Sequence, residues 1–280
     1  MLTRVIFNQK GGVGKSSIAV NLAAMSAHQG LRTLLIDLDP QCNATQYIIG
    51  DAATDIHPAH ITEPNIENFF SQTLQATSSP MPMMFAFPFG GMTGSRNQEL
   101  EHCIHTTRFD NLSLIPASPM LADILQPLES KHKIYKLKDG LNLLSQQFDR
   151  VYIDTPPAFN FFTLSALIAA DRVIVPFDCD IFSKRALQTL VQNILETRQD
   201  HNSDLLIEGI IVNQFDPRAN LPKEVVQTLV NEGYPVYDTK LSPSIIMKQS
   251  HHQSLPLIYL DAKHKLTQQY AALYQEIESR

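Results

Sequence analysis

The residues best suited to chemistry form a loop rich in glycine, lysine and serine, directly after a predicted first strand. The sequence NQKGGVGKSS occupies residues 8–17. Glycines let backbone N–H groups curl around phosphate oxygens, and the N-terminus of the following helix adds its positive end. In such a loop Lys15 would neutralise the β- and γ-phosphates of a nucleotide, and the Ser16 hydroxyl would bind Mg²⁺. The predicted nucleotide contacts are Gly11, Gly12, Val13, Gly14, Lys15, Ser16 and Ser17.

A second lysine sets this loop apart from the common phosphate-loop pattern. Gln9 stands where that pattern has its first glycine, and Lys10 lies five residues before Lys15. One loop does not easily direct two ammonium groups at the same phosphate from the same side. We therefore expect Lys10 to reach the nucleotide of a second subunit.

Three aspartates lie at the ends of predicted apolar strands, where α/β folds bind their ligands. Asp37 and Asp39 close the strand predicted over residues 32–38, and Asp154 ends the strand predicted over residues 151–154. Asp37 and Asp39 face the same side of their strand, so Asp37 is expected to support the site or to hydrogen-bond the phosphate loop. Asp154 is expected to hold Mg²⁺ through water. A single aspartate at a strand end more often caps a turn, but three beside a phosphate loop favour a functional site.

The rest of the chain predicts an α/β fold with a mostly parallel, twisted sheet and helices on both faces. Apolar strands alternate with helical patterns, which is typical of a parallel sheet covered on each side. At 280 residues one large domain is favoured over two small ones. The predicted strands are residues 4–7, 32–38, 112–115, 151–154, 173–177 and 205–212. The predicted helices are residues 15–29, 66–74, 137–147, 158–170, 181–197, 221–232, 244–251 and 263–278.

Residues 76–98 interrupt this alternation with three prolines, three phenylalanines and four of the eight methionines. The segment is too rich in proline and glycine for a helix or a central strand. Two interpretations remain open: an apolar flap packed on its own domain, or a surface for self-association or for a partner.

Composition narrows the possible functions. The net charge is −6, and 44% of residues are hydrophobic, which excludes wholesale disorder. The negative net charge also excludes nucleic-acid binding through bulk charge, so any such binding needs a local basic patch. No apolar run approaches the ~18 residues of a membrane span, and the first residues lack the pattern of a signal peptide. Three distant cysteines without a CxxC motif indicate reduced, buried thiols and a cytoplasmic protein.

Four stretches together resemble the ParA/MinD family of deviant Walker ATPases, and most of all its ParA-type partition and positioning members. They are KGGVGKS at residues 10–16, LIDLDPQ at 35–41, VYIDTPP at 151–157 and EGIIVNQFDPR at 208–218. The resemblance implies a P-loop NTPase fold, with ATP and Mg²⁺ as cofactors and ATP hydrolysis as the reaction. Residues 1–280 then form a single ATPase domain, with 76–98 as an insertion.

The resemblance also implies roles for individual residues. Asp39 would position or polarise the attacking water, in a catalytic set with Lys10, Lys15 and Asp37. Asn213, or backbone near it, would contact the adenine. The family's segment on the adenine side usually carries an arginine after a proline, whereas here Ser244 follows the proline.

A partition function further implies an ATP-bound, face-to-face homodimer with Lys10 crossing between subunits. That dimer would bind DNA non-specifically at the nucleoid, and a ParB-like or other adaptor would stimulate hydrolysis. Residues 181–280 are closer to neutral than residues 1–180 and therefore hold the candidates for a DNA patch. These candidates are Lys184, Arg185, Arg198, Arg218, Lys223 and Lys248. No helix-turn-helix pattern precedes the phosphate loop, so operator-specific repression is not expected.

Two other functions are alternatives to this one. A MinD-like regulator would bind membrane through a basic amphipathic helix, but the helix predicted over residues 263–278 has a neutral to acidic polar face. We therefore expect that helix to dock on its own domain. An electron-transfer ATPase like nitrogenase reductase would need paired cysteines, which Cys103 alone does not supply. The cargo stays open between a plasmid, a chromosome and a protein assembly.

Overall fold

Seven strands form one sheet in the order β3-β4-β2-β5-β1-β6-β7. A computed structural model gives the structure of residues 1–50, 63–75, 99–131, 133–179 and 183–280. The strands are β1 (Leu2–Ile6), β2 (Thr33–Asp37), β3 (His105–Thr106), β4 (Leu112–Ile115), β5 (Arg150–Asp154), β6 (Arg172–Asp178) and β7 (Leu206–Asn213). All neighbouring pairs are parallel except the edge pair of β3 and β4. The mostly parallel α/β sheet predicted from the sequence is confirmed.

Twelve helices in the described ranges connect and cover these strands. The first six are α1 (Lys15–His28), α2 (Asn43–Ile49), α3 (Ile66–Gln75), α4 (Glu99–His102), α5 (Leu121–Lys131) and α6 (Lys136–Leu143). The others are α7 (Phe161–Ala169), α8 (Ser183–Asp200), α9 (Asn220–Asn231), α10 (Ile245–Gln253), α11 (Leu257–Leu260) and α12 (Lys265–Glu278).

Two hydrophobic cores lie on opposite faces of the sheet, because successive strand residues point to opposite sides. In β1, Val5 belongs to the core that contains residues of α3 and α5 to α9, whereas Ile6 belongs to the core with α1, α2 and α10 to α12. In β5, Val151 and Ile153 face the first core, and Tyr152 faces the second. Helices therefore cover both faces, as predicted.

Several elements differ from the sequence-based prediction. The helix expected from residue 158 begins at Phe161, because the Asn160 side chain caps it by accepting hydrogen bonds from the backbone N–H groups of Phe162 and Thr163. Helix α5 was not predicted and contains Pro127 in its interior. The other unpredicted elements are α2, α4, α11 and β3, each seven residues or shorter. The proposed insertion at residues 76–98 lies outside the described residues.

The three cysteines form no disulfide in the described residues, and Cys42 and Cys103 are buried while Cys179 is half-buried. For Cys42 and Cys103 this matches the expectation of small buried side chains. Cys179, beside the end of β6, is more accessible than predicted.

Helix α12 docks on the sheet through its apolar face, as predicted. Its buried side chains are Leu266, Tyr270, Leu273, Tyr274 and Ile277. Near its end Glu278 pairs with Arg4 of β1 and Arg150 of β5. The Arg4 guanidinium also binds Glu208 of β7 at 2.9 Å, and the Arg4 side chain is only 2% exposed. In the described part of the chain, no helix combines the length and the apolar character that a membrane span needs.

Replacing Arg4 with methionine is expected to lower the free energy of unfolding by about 3–5 kcal/mol, because two carboxylates would lose a buried partner. Urea denaturation monitored by circular dichroism measures this change. Arg32→Met is the matched control, because the Arg32–Asp149 ion pair is largely exposed and should contribute little. An equal loss of unfolding free energy in the two variants would show that the ion pairs of Arg4 do not hold α12 to the sheet.

Candidate functional site

The phosphate loop joins the carboxyl end of β1 to the N-terminus of α1, which is the arrangement the motif requires. Gly12 and Gly14 have φ angles of +78° and +90°, which side chains rarely tolerate. A Cβ on Gly14 would also lie 2.4 Å from Asn213 Nδ2. The loop therefore needs glycine at position 14 for both its backbone shape and its packing.

Lys15 is buried, and the phosphate loop holds its ammonium group in place. Its ammonium group donates a hydrogen bond to the Lys10 carbonyl at 3.2 Å, and only 7% of the residue is exposed. Burial lowers the pKa of Lys15, and the carboxylates of Asp154 and Asp39 oppose that shift. A buried cation near two aspartates and next to a cavity is suited to neutralise an anionic ligand.

Asp37 supports the loop that carries Asp39. Its carboxylate accepts hydrogen bonds from the backbone N–H and hydroxyl of Thr45, at 2.8 and 2.7 Å, and from the Asp39 N–H at 3.0 Å. These contacts tie the end of β2 to the start of α2. The expected hydrogen bond between Asp37 and the phosphate loop stays a prediction, and the donors to Asp37 in the described structure lie in the segment that follows β2.

Asp39 lies at the wall of the cavity that the phosphate loop borders. It is 5% exposed, and one carboxylate oxygen accepts the Gln41 N–H at 2.9 Å. The cavity has a volume of about 600 Å³ and is also lined by Lys15, Ser16 and Pro157. The position is suited to holding a water molecule against a bound phosphate, and that role stays a prediction.

Asp154 ends β5 in register with both Asp37 of β2 and Ile6 of β1. It is fully buried, and its Oδ2 has no hydrogen-bond partner within the described ranges. Burial and the charge of Asp37 raise its pKa well above the usual range, while the Ser16 hydroxyl and Lys15 oppose the rise.

An unpaired buried carboxylate oxygen near a serine hydroxyl fits a hydrated Mg²⁺. Among the described residues there is no cluster of three or more His, Cys, Asp or Glu side chains able to hold a metal. Mg²⁺ usually keeps several waters and takes few protein ligands beside substrate phosphates. Ser16 would hold the ion directly and Asp154 through water, and the ion would neutralise phosphate charge.

Asn213 contacts the phosphate loop itself. Its Nδ2 donates to the Val13 carbonyl at 2.9 Å, and its Oδ1 accepts from the Gln214 N–H at 2.9 Å. It lines a second cavity of about 530 Å³, together with Pro243, Met247 and Lys248. Asn213 therefore positions the loop, and its predicted contact with adenine stays a prediction.

The Lys10 side chain lies near an acidic residue at the end of β6. Its ammonium group is 3.7 Å from Asp178 Oδ2 at the end of β6, and the two side chains are 32% and 34% exposed. Its backbone N–H donates to the Asn8 side chain at 2.9 Å. Within one chain Lys10 thus has an acidic neighbour, and its predicted contact with a second subunit stays a prediction.

The candidate DNA-binding residues do not share one environment. Arg185, Arg198 and Lys223 are exposed, and Arg218 is 89% exposed but bound through two nitrogens to Asp216. Lys248 lines the second cavity beside the phosphate loop, so its position favours nucleotide contact over the DNA surface that was expected. The side chain of Lys184 lies outside the described residues.

Sequence reasoning missed two side chains at this site. His251 of α10 lies between the two cavities, and Tyr47 of α2 borders the first. The sequence gave no signal for His251, because the residue it contacts, Ser17, lies 234 positions away in the chain. Looking for polar residues at strand ends finds residues on the sheet, whereas His251 and Tyr47 come from helices that cover it.

Three comparisons relate the chain to known proteins. A family model described as an AAA domain matches residues 1–207. The chromosome partitioning protein ParA of Myxococcus xanthus is 30% identical over 279 residues, covering 98% of this chain and 87% of that protein.

Two solved structures share the fold. The ATP complex of McdA from Cyanothece superposes with a TM-score of 0.76 at 20% identity, covering 100% of this chain and 96% of the other. Cobyrinic acid a,c-diamide synthase of Mycobacterium smegmatis, with bound ADP and magnesium, gives a TM-score of 0.70 at 24% identity over 98% of this chain and 93% of the other. At these identities the two structures show the fold alone.

Proposed function

This chain belongs to the ParA/MinD family of P-loop ATPases, and we propose that it hydrolyses ATP to switch between a monomer and a DNA-binding homodimer. With ATP and Mg²⁺ bound, two chains pair face to face and bind DNA without sequence preference. A partner protein stimulates hydrolysis and releases the dimer, so that a plasmid, chromosome or protein assembly is moved or positioned.

The observation that carries this proposal is the arrangement of charge around the first cavity. Lys15 is buried at the loop, while Asp39 and the unpaired oxygen of Asp154 come from the ends of neighbouring strands. Phosphoryl transfer requires positioning and charge neutralisation more than a strong base. A cation for the phosphates, ligands for Mg²⁺ and a carboxylate for water are the groups that this reaction needs.

The surroundings of Lys10 support its proposed role between subunits. Its ion pair with Asp178 is about one third exposed on each side, and such pairs contribute little to stability. Exchanging Asp178 for a phosphate of a second subunit would therefore cost little. In the dimer Lys10 would add positive charge to the partner's nucleotide, which makes dimerisation depend on ATP.

DNA binding is proposed to come from a small patch that dimerisation doubles. Arg185, Arg198 and Lys223 are exposed and available to phosphates. Arg218 would have to exchange Asp216 for a DNA phosphate. Because the chain as a whole is acidic, one copy of the patch binds weakly, and two copies joined by ATP bind more tightly.

DNA binding is expected to appear with ATP, to be absent with ADP and to fall steeply with salt, by about 0.9 in log–log slope for each phosphate contacted. Mobility shifts on unrelated duplexes at two salt concentrations measure this. Arg185→Glu and Arg218→Glu should weaken binding equally on all sequences, because phosphate contacts carry no base information.

Lys263→Glu is the matched control for these variants, since Lys263 is exposed and lies outside the candidate patch. It should shift the same DNA as the unchanged protein. If the unchanged protein binds no duplex in any nucleotide state, a protein or membrane scaffold takes the place of DNA in this account. Membrane binding through α12 would require undocking its buried apolar face.

A further inference from the structure

His251 forms the boundary between the two cavities next to the phosphate loop. Its ring nitrogen Nε2 lies 2.9 Å from the hydroxyl of Ser17, in the first turn of α1. The same side chain lines the cavity that holds Lys15 and Asp39 and the cavity that holds Asn213. Any ligand that extends from one cavity into the other passes His251.

The imidazole is held in place by neighbouring side chains. Tyr47 packs edge-on against it, with ring centroids 4.5 Å apart and planes at 77°. The Tyr47 hydroxyl is itself fixed by a hydrogen bond from Asn21 Nδ2 at 3.1 Å and by Ser250. Burial also lowers the pKa of His251, and a neutral imidazole has both a donor and an acceptor nitrogen.

Lys248 adds a cation to the same wall. It lies one helical turn before His251 in α10, so the two side chains share a face of the helix. Lys248 and His251 both border the second cavity, and Lys248 is exposed to it. The pair thus presents a lysine ammonium group and a hydrogen-bonding imidazole ring near Ser17.

We propose that His251, together with Lys248, binds the ribose and α-phosphate portion of the nucleotide. Lys15 and Ser16 line the part of the first cavity suited to the β- and γ-phosphates, and Asp154 acts on Lys15 through its charge. The second cavity offers Asn213, Pro243 and Met247 for the base. The group between these ends is the ribose with the α-phosphate. This inference rests on the proposed ATP site and adds residues that fix the nucleotide along its length.

The test is calorimetric titration of the purified protein with MgATP and with MgADP. His251→Ala should weaken both nucleotides to a similar extent, about tenfold, because a hydrogen bond near a charged group is lost at a point both nucleotides share. His251→Gln keeps a side-chain donor and acceptor and should restore most of the affinity. Lys248→Ala should weaken both nucleotides severalfold. Gln253→Ala, an exposed change on the same helix, should bind like the unchanged protein.

The outcomes separate this inference from the proposed function. If the unchanged protein binds neither nucleotide, the ATP site itself is refuted. The role of His251 is refuted, while the ATP site stands, in either of two cases. In the first, His251→Ala binds both nucleotides with the affinity of the unchanged protein. In the second, His251→Ala loses affinity for ATP but not for ADP. A loss in His251→Ala that His251→Gln does not restore, with both variants melting like the unchanged protein, also contradicts a hydrogen-bonding role.

Discussion

Lys15→Ala is expected to weaken MgATP binding at least about a hundredfold, which is the scale for removing one partner of a buried, hydrogen-bonded charge pair. The ammonium group is the buried cation that the loop holds through the Lys10 carbonyl. Without it, phosphates in the cavity would face Asp39 and Asp154 with no fixed lysine charge between them. Titration calorimetry with MgATP measures the loss.

Folding should not limit this experiment. The pKa of Lys15 is lowered in the folded chain by burial, so the charged form is disfavoured there and removing it should not destabilise the fold through charge. Lys263→Ala, at an exposed position, is the control and should bind ATP normally. Unchanged ATP affinity in a folded Lys15→Ala protein would refute the assignment of the phosphate-binding site to this loop.

Asp39→Ala is expected to keep ATP binding but to slow hydrolysis by about a hundredfold or more, the usual scale for losing a group that assists proton transfer or orients water. Asp39 borders the cavity, and the described structure holds one of its oxygens only through the Gln41 N–H. Phosphate release at saturating ATP measures the effect, and titration with MgATP confirms that binding survives.

Asp37→Asn distinguishes catalysis from support in the same segment. Asp37 is fully buried and bonded to Thr45 and the Asp39 N–H, so its replacement should lower the thermal midpoint as well as turnover. Asp39→Ala should lower turnover with little change in that midpoint. An Asp39→Ala protein that hydrolyses ATP at the normal rate would make Asp39 a structural residue.

The sheet could be predicted because its central strands carry their signal locally. The strands β2, β5 and β6 contain apolar runs buried on both faces, and β1 ends in the buried pair Val5 and Ile6. The missed elements lack such a signal. Helix α2 is too short for a periodic pattern, α5 contains Pro127, and β3 is a two-residue edge strand that depends on pairing with β4.

The candidate site could be predicted only where its residues follow strands. Asp37, Asp39 and Asp154 lie at or just beyond strand ends, so chain order placed them at one edge of the sheet, and the glycine-rich motif after β1 placed Lys15 beside them. His251 comes from a covering helix, and only the packing of α10 against α1 and α2 brings it to Ser17. The same packing places Lys248 at the second cavity. The charge of Lys248 alone could not predict this position.

The most direct test of the ATP-driven switch is sedimentation velocity of Asp39→Ala with MgATP and with MgADP. Slow hydrolysis should trap the ATP state, so we expect a dimer with ATP and a monomer with ADP. Adding Lys10→Ala to that variant should return it to a monomer with ATP, because the lysine that crosses to the second nucleotide is gone. A monomer of Asp39→Ala in saturating ATP, with nucleotide bound, would contradict the central claim.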